Sequence, residues 1–213
     1  MASTTLTEQD KIFYSDGYRM AQSVIEKGIN KEKQFQITKE IYTSIDQLID
    51  SIYNMAQKQG IEIHCKAGCA YCCHQAVFAA SHEFEYLADY INMYLSKQEI
   101  KGIRERAIEK NNKVAPLAYD DMLKNKEACP LLEDGKCMAY EARPMGCRIY
   151  LSMKLASCVE FFNNPENKEN YPALLEFPLQ AGRMLNEGFI AGLKSGGKES
   201  VELRVEEGVI NIL

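Results

Sequence analysis

The stretch HCKAGCAYCCH, residues 64–74, places four cysteines between two histidines. No ordinary helix or strand uses thiols at that density, because a core takes cysteine singly, as a small hydrophobe at apolar positions. The run therefore predicts an irregular segment, turned by Gly68, in which several sulfurs converge. A second segment, ACPLLEDGKCMAYEARPMGCRIY at 128–150, repeats the pattern more loosely. Seven of the eight cysteines fall in these two segments: Cys65, Cys69, Cys72 and Cys73, then Cys129, Cys137 and Cys147. Cys158 stands apart beside an apolar stretch and reads as a core residue.

All three histidines, His64, His74 and His82, lie within residues 64–82. Of these, His74 is the candidate to assist the cysteines; His64 and His82 read as loop or cap residues. Clustered thiols with nearby imidazoles point to a soft metal, zinc or iron, and exclude magnesium or calcium. Zinc sites commonly use paired C-x2-C hooks, whereas iron–sulfur clusters use closely spaced triplets with a fourth cysteine from elsewhere. C-x3-C-x2-C-C suits either, with Cys147 or Cys73 as the fourth ligand. Cys72 and Cys73 can serve one ion together only where the backbone bends sharply, since neighbouring side chains diverge.

Composition narrows the setting. With 25 basic and 30 acidic residues, the net charge of −5 argues against general nucleic-acid binding or an anionic membrane as partner. The N-terminus has no basic-then-apolar leader, and no run reaches the roughly 20 apolar residues of a membrane helix. A cytoplasmic location follows, where cysteines serve as ligands or reactive thiols more than as disulfides.

The surroundings read as helices. Thr7 caps a first helix ending near Gly28. Thr38 opens a second with Ile41, Ile45, Leu48, Ile49, Ile52 and Met55 at helical spacing, ending at Gly60. Ser81 caps a third. Ser96 and Glu99 form a capping box, with Leu95 and Ile100 at the hydrophobic-staple positions and Pro116 as the stop. Glu-Asp-Gly-Lys at 133–136 predicts a tight turn between short extended pieces. Residues 161–172 are loop-like, a helix spans about 173–194, and the tail alternates like a strand or hairpin. The fold class is mainly α: a helical domain in which two irregular cysteine-bearing loops converge on a metal centre, with room for short β hairpins. Three segments are expected within one compact unit: N-terminal helices (1–60), a cysteine-cluster region (61–151), and a C-terminal helix and strand tail (152–213).

Two family resemblances meet in the first segment. Cys65, Cys69, Tyr71 and Cys72 resemble the C-x3-C-x-aromatic-C loop of radical S-adenosylmethionine enzymes, but the chain that follows lacks the alternating strands and helices of that barrel. The joint pattern of C-x3-C-x2-C-C with Cys129, Pro130, Gly135, Cys137, Tyr140, Arg143, Pro144, Cys147 and Arg148 resembles the YkgJ family, the CxxCxxCC cysteine-cluster domain. That resemblance covers about residues 61–151 and implies a zinc- or iron-chelating domain. One branch looks related to flagellin lysine methylases, which are considerably longer chains.

The expected ligands are thus Cys65, Cys69, Cys72, Cys73, Cys129, Cys137 and Cys147. Arg143, Arg148, Tyr140 and His74 would surround them, the guanidinium groups offsetting thiolate charge. The alternatives are an iron–sulfur-dependent enzyme, of methyltransferase or radical type, and a thiol-redox or metal-delivery protein. No Ser/His/Asp or paired-carboxylate pattern suggests a hydrolase.

Overall fold

The structure is a computed structural model that describes residues 6–213, apart from 27, 29 and 168. It is mainly α. The helices are α1 (Glu8–Ile25), α2 (Lys31–Lys58), α3 (Ser81–Tyr94), α4 (Lys97–Val114), α5 (Tyr119–Lys124), α6 (Met145–Ile149), α7 (Leu155–Asn163), α8 (Glu176–Ser195) and α9 (Val205–Ile212). Among the described residues four short strands accompany them: β1 (Phe78–Ala80), β2 (Leu132–Glu133), β3 (Lys136–Cys137) and β4 (Glu202–Arg204). They form two antiparallel pairs, β1 with β4 and β2 with β3.

Local chemistry sets most helix starts. The Thr7 hydroxyl accepts from the Asp10 amide at 3.1 Å, and Asp10 returns a bond from the Thr7 amide at 2.8 Å. Ser96 and Glu99 complete the same reciprocal box at α4, which stops just before Pro116. Two starts differ from the sequence expectation. Helix α2 begins at Lys31, capped by Asn30, whose side chain accepts from the Lys33 amide at 2.7 Å; Thr38 lies buried inside the helix. Helix α3 begins at Ser81 itself, and the Ser81 hydroxyl donates to the Val201 carbonyl instead. The Ala80 amide is satisfied by Glu83, reaching back from the first turn at 2.9 Å.

The core runs along one face of each long helix: Ile41, Ile45 and Ile49 from α2, Leu87 and Ile91 from α3, Ile103 from α4, and Phe189 and Leu193 from α8. Each such side chain taken from water stabilises the fold by about 1.5–3 kcal/mol. Helices α1 and α8 approach so closely that a Cβ on Gly17 would stand 1.9 Å from the Leu185 carbonyl oxygen. One on Gly188 would stand 2.0 Å from the carbonyl oxygen of Tyr14. Glycine is what lets these two backbones touch.

The C-terminal tail holds a short strand, as its alternation predicts, but then turns into α9. Glu206 on α9 is 1 % exposed, with Arg204 at 3.0 Å and Lys110 of α4 at 3.6 Å. That buried ionic cluster fixes α9 against α4, and neighbouring Val205 donates its amide to the Val77 carbonyl at 2.9 Å. Helix α7 carries Cys158 in a stretch read from sequence only as apolar. No described helix is long and apolar enough to cross a membrane.

Candidate metal centre

The cysteines are positioned mainly by backbone. The Cys65 carbonyl accepts from the Tyr53 hydroxyl of α2 at 2.5 Å, and its thiol faces the Tyr150 carbonyl at 3.9 Å. Cys69 closes a turn, its amide donating to Lys66 at 3.1 Å. Cys72 and Cys73 sit on a single 3-10 turn, Tyr71–His74. From the second segment, the Cys129 amide donates to the Cys73 carbonyl at 2.7 Å, which joins the two segments directly. Cys137 lies in β3 opposite Leu132, after a turn with positive φ at Asp134 (48°) and Gly135 (75°). Those two angles are what a two-residue hairpin turn demands, so the Glu-Asp-Gly-Lys expectation holds. Cys147 departs from the loop expectation. It lies on the short helix α6, and Pro144 is the N-cap residue, outside the helix at φ −55° and ψ 159°.

One cavity of about 600 Å³ is lined by residues of both segments, including Cys65, Cys69, Cys72, Cys73, Cys129, Cys137 and Cys147. Tyr140, Arg143 and Arg148 line it as well. Cys158 and the histidines do not. His74 Nδ1 is 3.0 Å from the Ala70 carbonyl, with its ring 5.0 Å from that of Phe162. His64 is tied to the Met153 carbonyl at 2.7 Å, and His82 is buried against Phe189 and Asn186. Cys158 is nonetheless near enough for negative charge on Cys69 or Cys72 to raise its pKa, after burial, the larger cause. Among the described residues, no three His, Cys, Asp or Glu side chains stand at single-ion spacing. The thiols ring a hollow space and are not drawn into a tetrahedron.

Most of these thiols sit where the charged form is disfavoured. Burial away from water, which disfavours the thiolate, pushes the Cys129 thiol up to about 11 and holds Cys147 well above its ordinary value. Burial raises Cys65 and Cys137 too. Cys72 is the exception. The Cys73 thiol donates to its sulfur and brings it down to about 7, while the same bond holds Cys73 far up. Neutral thiols neither repel nor attract one another strongly. A soft cation that displaces their protons is what would draw them inward, so the donor set fits zinc or iron.

Arg143 and Arg148 divide the work expected of them. Arg148 is 1 % exposed and stacks over the Tyr42 ring at 4.0 Å. It donates to the Arg143 carbonyl at 2.9 Å, to the Glu141 carbonyl and to Asp46. Its hydrogen bonds go to oxygen, and they brace the turn that leads into Cys147. Arg143 lies over the Tyr140 ring at 4.0 Å, 3.5 Å from Asp46, and its charge lowers the pKa values of Cys72, Cys137 and Cys147. Guanidinium beside thiols favours the thiolate form a metal needs.

Sequence reasoning missed Asp46 and Tyr53, both on α2, which was read as a packing helix only. The signal was present: Asp46, Ile49, Asp50 and Tyr53 recur at i, i+3, i+4 and i+7 on one face, and all four line the cavity. Glu83, in the first turn of α3, is a further residue that the sequence did not single out. It is 2 % exposed and also accepts from the Met145 amide at 2.7 Å and the Tyr42 hydroxyl at 3.0 Å, anchoring α6 to α3.

A family model described as "CxxCxxCC: Putative zinc- or iron-chelating domain" matches residues 64–172, just over half of the chain. The chain belongs to the CxxCxxCC family. The CxxCxxCC match takes in all eight cysteines, together with Arg143 and Arg148. It leaves out α1, α2, α8 and α9, so Asp46 and Tyr53 reach the cavity from outside the CxxCxxCC segment. No curated protein and no solved structure matches the chain.

Proposed function

We propose that the chain chelates zinc or iron with thiols from both segments, drawing on Cys65, Cys69, Cys72, Cys73, Cys129, Cys137 and Cys147. The observation that carries this reading is that these seven cysteines line one cavity, bridged where Cys129 bonds to Cys73. Seven thiols exceed the four ligands of a tetrahedral zinc, which favours a larger centre, either an iron–sulfur cluster or more than one ion. Metal uptake would release protons, and its free energy would order the two segments. Arg143 would offset thiolate charge, while Arg148 and Asp46 hold the approach to Cys147 in place. A reducing, cytoplasmic setting suits such a site.

Anaerobic purification with elemental analysis and an absorption spectrum tests this. Iron with sulfide and a broad visible band supports the cluster. Zinc at one per chain, without a visible band, refutes the larger centre and keeps only chelation. Unchanged metal content in both Cys69→Ser and Cys147→Ser sinks the shared centre.

A further inference from the structure

We propose that the cysteine cavity is also a binding site for a compact, uncharged organic molecule with a ring-sized apolar body, seated beside the metal. The first argument is volume. A metal ion takes up about the share of one water, ~30 Å³, and even an eight-atom iron–sulfur core takes at most roughly 240 Å³ on that measure. The cavity is about 600 Å³, so more than half of it is left over. Sites of roughly 300–1,000 Å³ are those that hold small organic ligands.

The second argument is the wall. Ile49, Val77, Phe78, Leu131, Leu179 and Val205 line the cavity, and none of them can serve a metal. Ile49, Leu179 and Val205 come from α2, α8 and α9, outside the segment shared with the family. A chelating site has no need of this apolar wall; a hydrophobic guest does.

The third argument is charge. The ionised side chains of the lining are Asp46, Asp50 and Glu141 against Lys66, Arg143 and Arg148. They balance, and Asp46 already faces both arginines. Four thiolates outweigh the positive charge of a zinc ion or an iron–sulfur core and leave the centre net negative, so an anionic guest is repelled and a neutral one is not. The site goes beyond chelation, and it stands whether the metal is zinc or iron.

Indole is a suitable probe, being neutral and ring-sized, and the chain contains no tryptophan to mask its fluorescence. Equilibrium dialysis of the metal-loaded full chain against indole, read in the protein-free chamber, should show saturable uptake of one molecule per chain. Val77→Phe, which fills the wall, should weaken uptake at least about tenfold with metal content unchanged. Leu179→Phe does the same from another side and decides the matter if Val77→Phe fails to fold by circular dichroism. Absence of saturable uptake overturns the proposal, as does wild-type uptake in the folded variants. Metal without indole refutes this site alone, whereas indole without metal refutes the proposed chelation alone.

Discussion

The amide of Cys129 donates to the carbonyl of Cys73 across 2.7 Å, so the two cysteine segments meet main chain to main chain before any metal is considered. A metal held by thiols on both sides of that bond binds the folded chain far better than the unfolded one. At free metal 100-fold above its Kd, the linkage is worth about 2.7 kcal/mol. Adding a chelator should therefore lower Tm by about 5–10 °C for a chain of this size. Differential scanning calorimetry with and without chelator reads this, and an unchanged Tm refutes it.

Asp46 is the shared acceptor of Arg143 and Arg148. Asp46→Ala leaves Arg148, which is 1 % exposed, without its charge partner. Loss of a buried pair costs about 3–5 kcal/mol, and the partial exposure of Asp46 puts this one at the lower end, about 3 kcal/mol. Urea denaturation at constant metal load measures it. A loss under about 1 kcal/mol would show that the braced turn before Cys147 does not depend on this carboxylate.

Gly188→Ala should destabilise the fold by about 2–3 kcal/mol, because its new methyl meets the Tyr14 backbone rather than a side chain that can move aside. Gly146→Ala is the control. Its nearest neighbour would be the Phe78 carbonyl oxygen at 3.7 Å, an ordinary contact. Equal midpoints for the two variants in denaturant would refute the close packing of α1 on α8.

His82 is buried, and that burial holds its pKa below the ordinary 6.5. Glu83, Glu85 and Lys198 also act on it, and the side chain of Asn186 bonds to Nε2 at 3.1 Å. Below pH 6.5 the unfolded chain takes up a proton that the folded chain refuses. Stability is therefore intact above pH 6.5 and declines as pH falls toward the folded pKa, by up to about 1.4 kcal/mol per pH unit. His82→Gln should flatten that acid limb relative to wild type at equal metal load. Parallel pH profiles would exclude His82 as its source.

What could be read from the chain followed from how local each signal is. The cap at Thr7, the capping box at Ser96 and the Asp134-Gly135 turn act within four residues, and the structure keeps all three. The start of α2 was misplaced because Thr38 mimics a cap, while the working cap, Asn30, precedes a polar stretch without an apolar stripe. Helix α9 was hidden because its Glu206 is paired with Lys110 and Arg204, partners that only the folded chain brings together. The thiols of the candidate site stand out by residue type. Asp46 does not, since an aspartate on an amphipathic helix looks like any solvated charge until two arginines arrive from about 100 residues away.

The pairing of β1 with β4 bears on when such a centre could be filled. Val205, which lines the cavity, follows β4 directly, whereas Cys147, the last of the lining cysteines to be made, precedes it by 58 residues (205 − 147). At roughly 5–20 residues per second, on the order of 10 s of synthesis separates them. During that interval the thiols of the nascent chain stand on an unfinished bowl, open to whatever delivers the metal. Loading is thus expected to be easiest on the ribosome and slowest once the last wall has closed.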